Sequence, residues 1–338
     1  MKVRIAINGF GRIGRSAFKI AFDRTDVEIV AINDLTDTST LAHLLKYDSN
    51  YGEYAHKVSS DEKGIIVNGK HIRVFAESDP TALPWAENNI DVVIESTGRF
   101  TKGEDARSHI KAGAKKVVIS GPTKSEDVPT IVFGANEEKL EEAGDVISNA
   151  SCTTNSAAAV MDILDKAFGI DKALLTTVHS YTASQRLQDA PAKDLREARN
   201  AAENIVPTTT GAATAVAKAV PAMLGKFDGL SVRVPTPVVS ISDITILFKS
   251  HVTVEEVNNV FKKAVKEAYY QGILDVSTVP LVSSDYIGNS HSGVVDLLLT
   301  KVVGGNLGKV VIWYDNEWGY SNRLVEVTVD FGKLLHHK

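Results

Sequence analysis

Three glycines near the amino terminus constrain the fold more than anything else in this chain. Val3-Arg4-Ile5-Ala6-Ile7 is a short β-branched run, Asn8-Gly9-Phe10-Gly11-Arg12-Ile13-Gly14 follows at once, and residues 15–22 then place apolar side chains at helical spacing. The order is strand, glycine turn, helix. In a dinucleotide-binding βαβ unit, the position of Gly9 needs a tight turn, that of Gly11 lets backbone approach a pyrophosphate, and that of Gly14 lets helix pack on strand. A second apolar run, residues 27–32, ends at Asn33-Asp34, which puts Asp34 20 residues beyond Gly14. An acid there accepts from the ribose 2′-hydroxyl and repels a 2′-phosphate, so NAD is expected over NADP.

The alternation of strand and helix continues. Residues 38–47 read as a helix with Leu41, Leu44 and Leu45 on one face, and Asn68-Gly69 between residues 65–67 and 71–74 reads as a hairpin turn. Residues 91–95 and 116–120 are apolar strands with a helix over 104–112 between them, and 131–134 and 145–148 add two more. Buried parallel strands joined by helices make a doubly wound, Rossmann-type α/β sheet. Ligands gather beyond the carboxyl ends of such strands, where Thr97-Gly98 and Ser120-Gly121 fall.

Cys152 is the single cysteine among 338 residues. It lies between Asn149-Ala150-Ser151 and Thr153-Thr154-Asn155, just ahead of a helical run, so its thiol sits at a helix N-terminus, where the peptide dipoles favour the thiolate. A lone cysteine elsewhere is often an inert core residue. The hydroxyl and amide neighbours argue against that here. Beyond it, residues 172–179 form a strand ending at His179, where a long polar loop, 180–204, begins. His179 is therefore the histidine to pair with Cys152, the alternative being an imidazole satisfied by backbone. Residues 205–211 open a further helix, 231–237 lead into a strand over 238–249, and 253–269 form a long helix. Proline punctuation and successive strands make this half an α+β domain with a largely antiparallel sheet. Threonines, a glycine and an arginine at its loop ends suit phosphate binding. Residues 320–331 carry both helical and alternating apolar periodicity, which leaves that segment undecided.

Composition narrows the function by exclusion. With 37 basic and 42 acidic side chains, the net charge of −5 provides no bulk field for nucleic acid or an anionic membrane. Basic residues interrupt the first 30 positions, so neither a signal peptide nor a membrane span is expected, and the expected location is the cytoplasm. One cysteine, with no CxxC or HExxH spacing, gives no metal site. The length predicts two domains.

Five motifs in order carry a resemblance: residues 7–15, Ser151-Cys152-Thr153-Thr154-Asn155, His179-Ser180-Tyr181-Thr182, Thr208-Thr209-Thr210-Gly211-Ala212-Ala213 and Trp313-Tyr314-Asp315-Asn316-Glu317-Trp318-Gly319-Tyr320. Over essentially its full length the chain resembles the bacterial-type phosphorylating glyceraldehyde-3-phosphate dehydrogenases. The resemblance implies an NAD-binding domain over 1–151, completed by a final helix over 317–338, and a catalytic domain over 152–316. It implies Cys152 as nucleophile and His179 as its base. Gly9, Gly11, Arg12, Ile13, Gly14, Asp34, Ser78, Thr97, Ser120 and Asn316 would contact NAD, with Asn316 orienting the nicotinamide. Thr182 and Arg233 would hold the substrate phosphate, and Ser151, Thr153, Thr210 and Gly211 would shape a site for inorganic phosphate. The implied reaction takes D-glyceraldehyde 3-phosphate to 1,3-bisphosphoglycerate through a Cys thioester, in a homotetramer; erythrose-4-phosphate dehydrogenase or a semialdehyde dehydrogenase is the alternative. Three positions depart from common family patterns. Ser78 replaces a longer basic side chain, Glu197 follows Arg196 where a second arginine is frequent, and Ala190-Pro191 replaces a bulkier pair.

Overall fold

The structure, a computed structural model, describes Met1 to His336. The chain forms two compact units: the first comprises Met1–Ile131, Glu138–Ala150 and the segment from Ser321 on, the second Val132–Glu137 and Ser151–Tyr320.

The first unit is built on an eight-stranded sheet in the order Val146–Ser148, Lys116–Ile119, Val92–Glu95, Val3–Asn8, Val27–Asn33, Lys70–Phe75, Gly64–Val67, Val58–Asp61. The first six strands are parallel, and the last two pairings are antiparallel. Every residue of Val92–Glu95 and Lys116–Ile119 is buried, as expected of central parallel strands covered on both faces. Trp85, Ile90, Val93 and Val117 form the core of one such covering layer. Because Val3–Asn8 pairs with Val27–Asn33 on one side and Val92–Glu95 on the other, the strand order reverses there, which opens a crevice beyond Asn8. The helix Arg12–Phe22 starts at that crevice. The hairpin turn has Asn68 at φ 50° and Gly69 at φ 82°, the two positive values that its sequence required.

The second unit is built on a sheet in the order Val206–Thr209, Phe227–Val234, Ile170–Ser180, Ser240–Phe248, Leu307–Tyr314, Gly293–Asp296, Leu274–Ser277, with Lys301–Val303 also pairing Leu307–Tyr314. Most pairings are antiparallel; Ile170–Ser180 with Phe227–Val234 and Leu274–Ser277 with Gly293–Asp296 are parallel. The helix Cys152–Phe168 packs on this sheet and buries eleven side chains, from Thr153 through Leu164. No described helix is long and apolar enough to cross a membrane.

Five local expectations fail. Leu44 is exposed, so only Leu41 and Leu45 of its helix face the core. The helix over 104–112 divides at Arg107, which is flattened to ψ −8° and held by Asp127 and Asp145. Residues 131–134 form no strand: Thr130 makes one bridge to Ser148, then Asn136 accepts from Val132 N and Gly134 turns at φ 82°. Residues 206–209 form an edge strand, where Pro207 is tolerated because no ladder donor is needed from it. The long helix stops at Ala264 because Glu267 is extended at ψ 138°. The undecided segment is the helix Trp318–Lys333, and Leu324, Val325, Val327, Val329 and Phe331 are all buried. A helix covered nearly all round buries both candidate stripes, so neither periodicity could prevail.

A Cβ added to Gly14 would lie 2.1 Å from the carbonyl oxygen of Gly9, between helix and turn. Gly14→Ala is therefore expected to destabilise the protein by about 1–3 kcal/mol, read as a lower urea midpoint at unchanged slope. An unchanged midpoint would show that the helix does not pack so closely.

Candidate active site

Two constellations emerge, one in each unit. In the first, Gly9 adopts φ 92°, and a Cβ there would meet Thr97 N at 2.7 Å. A Cβ on Gly11 would meet nothing within 4 Å, so the backbone at the start of the helix lies open to a ligand. Asp34 is anchored by two backbone donors, Phe10 N to Oδ2 at 2.8 Å and Thr36 N to Oδ1 at 3.0 Å. Each oxygen keeps a lone pair for a further donor such as a ribose hydroxyl. Asn8, Gly9, Gly11, Asp34, Ser78 and Thr97 are among the residues lining a cleft of about 300 Å³. An open glycine, a helix N-terminus and an anchored acid around one cleft fit a dinucleotide. Arg12 turns its guanidinium to Asp48 at 2.8 Å and over the Tyr51 ring. Ser120 ends its strand with its N–H donating to Glu95 O and is not part of the cleft lining.

In the second unit, Ser151 caps the helix Cys152–Phe168 by accepting from Thr154 N at 3.1 Å. Cys152 is thereby set at the first helical position, and its Sγ lies 3.4 Å from His179 Nε2. Tyr314 ties the helix to the strand below, with its hydroxyl 2.9 Å from Thr153 Oγ1 and 2.8 Å from Thr177 Oγ1. Its ring meets that of His179 edge-on, with centroids 6.0 Å apart. The Ser180 carbonyl, which can only accept, approaches His179 Nδ1 at 2.7 Å, and the Arg233 guanidinium, which can only donate, meets the same nitrogen, so the two contacts favour opposite tautomers; the proton on Nδ1 leaves the Nε2 lone pair facing sulfur. Ser180 is itself fixed, its N–H donating to Ser240 Oγ and its hydroxyl to Val239 O. Val239 adopts φ 71°, a strained value for a β-branched residue. Ser240 Oγ donates in turn to Asn316 Oδ1 at 3.1 Å.

Arg233 sits beside this pair. Its Nη1 donates to Ser180 O at 3.2 Å and lies against His179 Nδ1, while its buried Nε has no hydrogen-bond partner among the described residues. Burial, then the Arg233 charge, push the imidazole down to about 3, well below the ordinary histidine range. Burial pushes the Cys152 thiol up, with Arg233 the largest influence in the opposite sense. Desolvation of the thiol thus opposes the helix N-terminus, which favours the thiolate.

The remaining phosphate candidates are less closely gathered. Thr182 donates its N–H to Gln185 Oε1 and pairs its hydroxyl with Ser184. Thr210 Oγ1 accepts from Ala212 N, and Gly211 caps the helix Ala212–Ala219. The register sets Val206 opposite Arg233 and Thr209 opposite Leu230, which separates Thr210 from Arg233 along the strand. Thr153 spends its hydroxyl on Tyr314, and Glu197 accepts from Thr208 Oγ1 at 2.8 Å. Tyr314, Ser180 and Ser240 hold the pair in place without having been singled out in the sequence. Tyr314 stood inside the aromatic motif 313–320 and Ser180 inside the motif 179–182, whereas Ser240 carries no signal.

Comparison with known proteins agrees with this geometry. Residues 3–103 match the family model described as glyceraldehyde 3-phosphate dehydrogenase, NAD binding domain, and residues 151–316 match that described as glyceraldehyde 3-phosphate dehydrogenase, C-terminal domain. The chain is 55% identical to a glyceraldehyde-3-phosphate dehydrogenase of Geobacillus stearothermophilus, over 97% of each chain. It is 56% identical to one of Thermotoga maritima, over 96% of this chain and 97% of that one. It is 52% identical to glyceraldehyde-3-phosphate dehydrogenase 1 of Bacillus subtilis, over 98% and 99%. The chain belongs to the glyceraldehyde 3-phosphate dehydrogenase family.

Two predictions follow the geometry. Asp34→Ala removes the acceptor for a ribose diol and is expected to weaken NAD binding about tenfold to a hundredfold while narrowing its advantage over NADP, as titration of each nucleotide would show. Arg233→Gln removes the charge that lowers the thiol, so the pH midpoint of Cys152 alkylation is expected to move upward; a downward or absent shift would exclude Arg233 as the thiol's electrostatic partner.

Proposed function

We propose that the chain oxidises D-glyceraldehyde 3-phosphate to 1,3-bisphosphoglycerate, with NAD and inorganic phosphate, through a thioester on Cys152. The observation that carries this reading is the 3.4 Å approach of the only thiol to His179 Nε2, at a helix start in a chain of this family. NAD, when bound, supplies the acceptor for the hydride.

The Cys152 sulfur forms a bond to the aldehyde carbon, and the thiol proton passes by way of His179 Nε2 to the carbonyl oxygen, giving a hemithioacetal. As C1 loses its hydrogen with the electron pair, His179 Nε2 takes the proton of the hemithioacetal hydroxyl, the carbonyl reforms and the thioester results. An oxygen of inorganic phosphate then attacks the thioester carbon and the C–S bond breaks. The imidazolium returns its proton to sulfur, and the acyl phosphate leaves.

Arg233 gives the substrate a second role. A phosphate beside the Arg233 guanidinium neutralises the charge that depresses His179, so binding the anionic substrate raises the basicity of the imidazole as it is needed. Thr182 is the second donor proposed for that phosphate. Ser151, Thr153, Thr210 and Gly211 are proposed for inorganic phosphate, chiefly through backbone N–H groups, since the Thr153 hydroxyl already pairs with Tyr314. Asn316, oriented by Ser240, is proposed to hold the nicotinamide amide.

The chain is further proposed to act in the cytoplasm as a homotetramer. Supporting assembly, the sheet of the second unit exposes Leu174, Leu230 and Leu307, two of which line an apolar cleft of about 720 Å³.

Cys152→Ala is expected to abolish NADH formation from glyceraldehyde 3-phosphate while NAD binding persists. Without phosphate, the unaltered protein is expected to form about one NADH per subunit and then stall, because the thioester has no acceptor. Turnover by the alanine variant would sink the covalent route, and continued turnover without phosphate would point to a hydrolysing aldehyde dehydrogenase.

A further inference from the structure

Below the dinucleotide cleft lies a buried histidine–carboxylate pair that the proposed chemistry does not use. Glu95 ends the strand Val92–Glu95 and is 2% exposed; His109, on the short helix Ser108–Lys111, is fully buried. His109 Nε2 stands 3.0 Å from Glu95 Oε2. The Trp85 indole N–H can only donate, and it donates to His109 Nδ1 at 3.0 Å. Nδ1 is therefore bare, the ring is neutral, and Nε2–H points at the carboxylate. Glu95 accepts three further bonds: Thr97 N at 2.9 Å and Thr97 Oγ1 at 2.5 Å on Oε1, and Asn8 Nδ2 at 2.5 Å on Oε2. Four donors surround the carboxylate, and none of them is a cation. A carboxylate buried on those terms costs more than an apolar side chain filling the same space. Its task must lie in what it holds.

What it holds is the wall of the cleft. Asn8 Oδ1 accepts from Asn33 Nδ2, and the Asn33 amide spans the backbone of Glu77, accepting from its N–H and donating to its carbonyl. Thr97 Oγ1 accepts from Arg99 N. Asn8, Asn33, Glu77, Thr97 and Arg99 all line the cleft that contains Asp34. Gly9 packs so closely on Thr97 that even a methyl group between them is excluded, so a shift of Thr97 is felt at the glycine turn.

We propose that Glu95 and His109 are a positioning pair for the dinucleotide, which holds three strand ends and the loop at Glu77 in the shape that receives its adenosine half. The proposal rests on the reading of this cleft as the NAD site. Neither residue touches the cofactor; each acts through Asn8 and Thr97.

The test uses steady-state kinetics and NAD titration on the full chain. In Glu95→Gln, whichever way the amide is turned, its NH2 faces a donor. Its KM for NAD is expected to rise about tenfold to a hundredfold, with kcat and the aldehyde KM nearly unchanged. His109→Leu, which removes the donor to Glu95, is expected to behave alike. His109→Gln can still donate to Glu95 and accept from Trp85, and should restore NAD affinity to within about threefold of the unaltered protein. The pair is excluded if Glu95→Gln and His109→Leu bind NAD normally, or if both His109 variants lose kcat and affinity together, as general loosening would cause. Should Glu95→Gln fail to fold, the contrast between the two His109 variants decides. Failure of the unaltered protein to bind NAD would instead sink the dehydrogenase reading itself.

Discussion

A strand that ends inside a protein leaves polar groups where water cannot reach them, and each must find a partner within the chain. Both constellations are answers to that demand. In the first unit, Asn8, Asn33 and Glu95 end three adjacent parallel strands and satisfy one another through a continuous set of side-chain bonds. In the second, Thr177, His179 and Ser180 stand at the buried end of a strand and are satisfied by Tyr314, Ser240 and the backbone at Val239. The ligand-facing groups are the outermost members of these networks. Their orientation is set by inner members that never meet a ligand.

Electrostatics then separates the two constellations. Glu95 is a charge held by neutral donors, which favours rigidity. The thiol and imidazole lie near a charge, Arg233, which opposes the effect of burial on the thiol and adds to it on the imidazole.

The fold was legible where backbone geometry demands a residue type. The glycine turn at Gly9 and Gly14, the Asn68-Gly69 hairpin and the apolar central strands could be read directly, because few other residues fit those positions. Cys152 and His179 were legible as chemistry, and the structure brings them together. Their protonation was not, since it depends on burial and on Arg233, which lies 54 residues from His179 in sequence. The edge strand around Pro207 and the irregular residues 131–134 were misread because pairing partners, not local propensity, decide them. The final helix was ambiguous for a related reason, being surrounded on nearly all sides.

That helix has a consequence for how the chain comes to be folded. Its Phe331 ring lies under Lys116 Nζ at 3.6 Å, its Lys333 reaches Asp26, and its Gly332 packs directly on Val3. These partners are synthesised well before this segment. The amino-terminal sheet must therefore wait, with one layer uncovered, while every strand of the catalytic sheet is translated. Closure over such a span of chain is slow, and apolar surface stays open to other molecules in the interval. Until that helix is made, the chain holds its cysteine and its histidine while one wall of its nucleotide sheet stays bare.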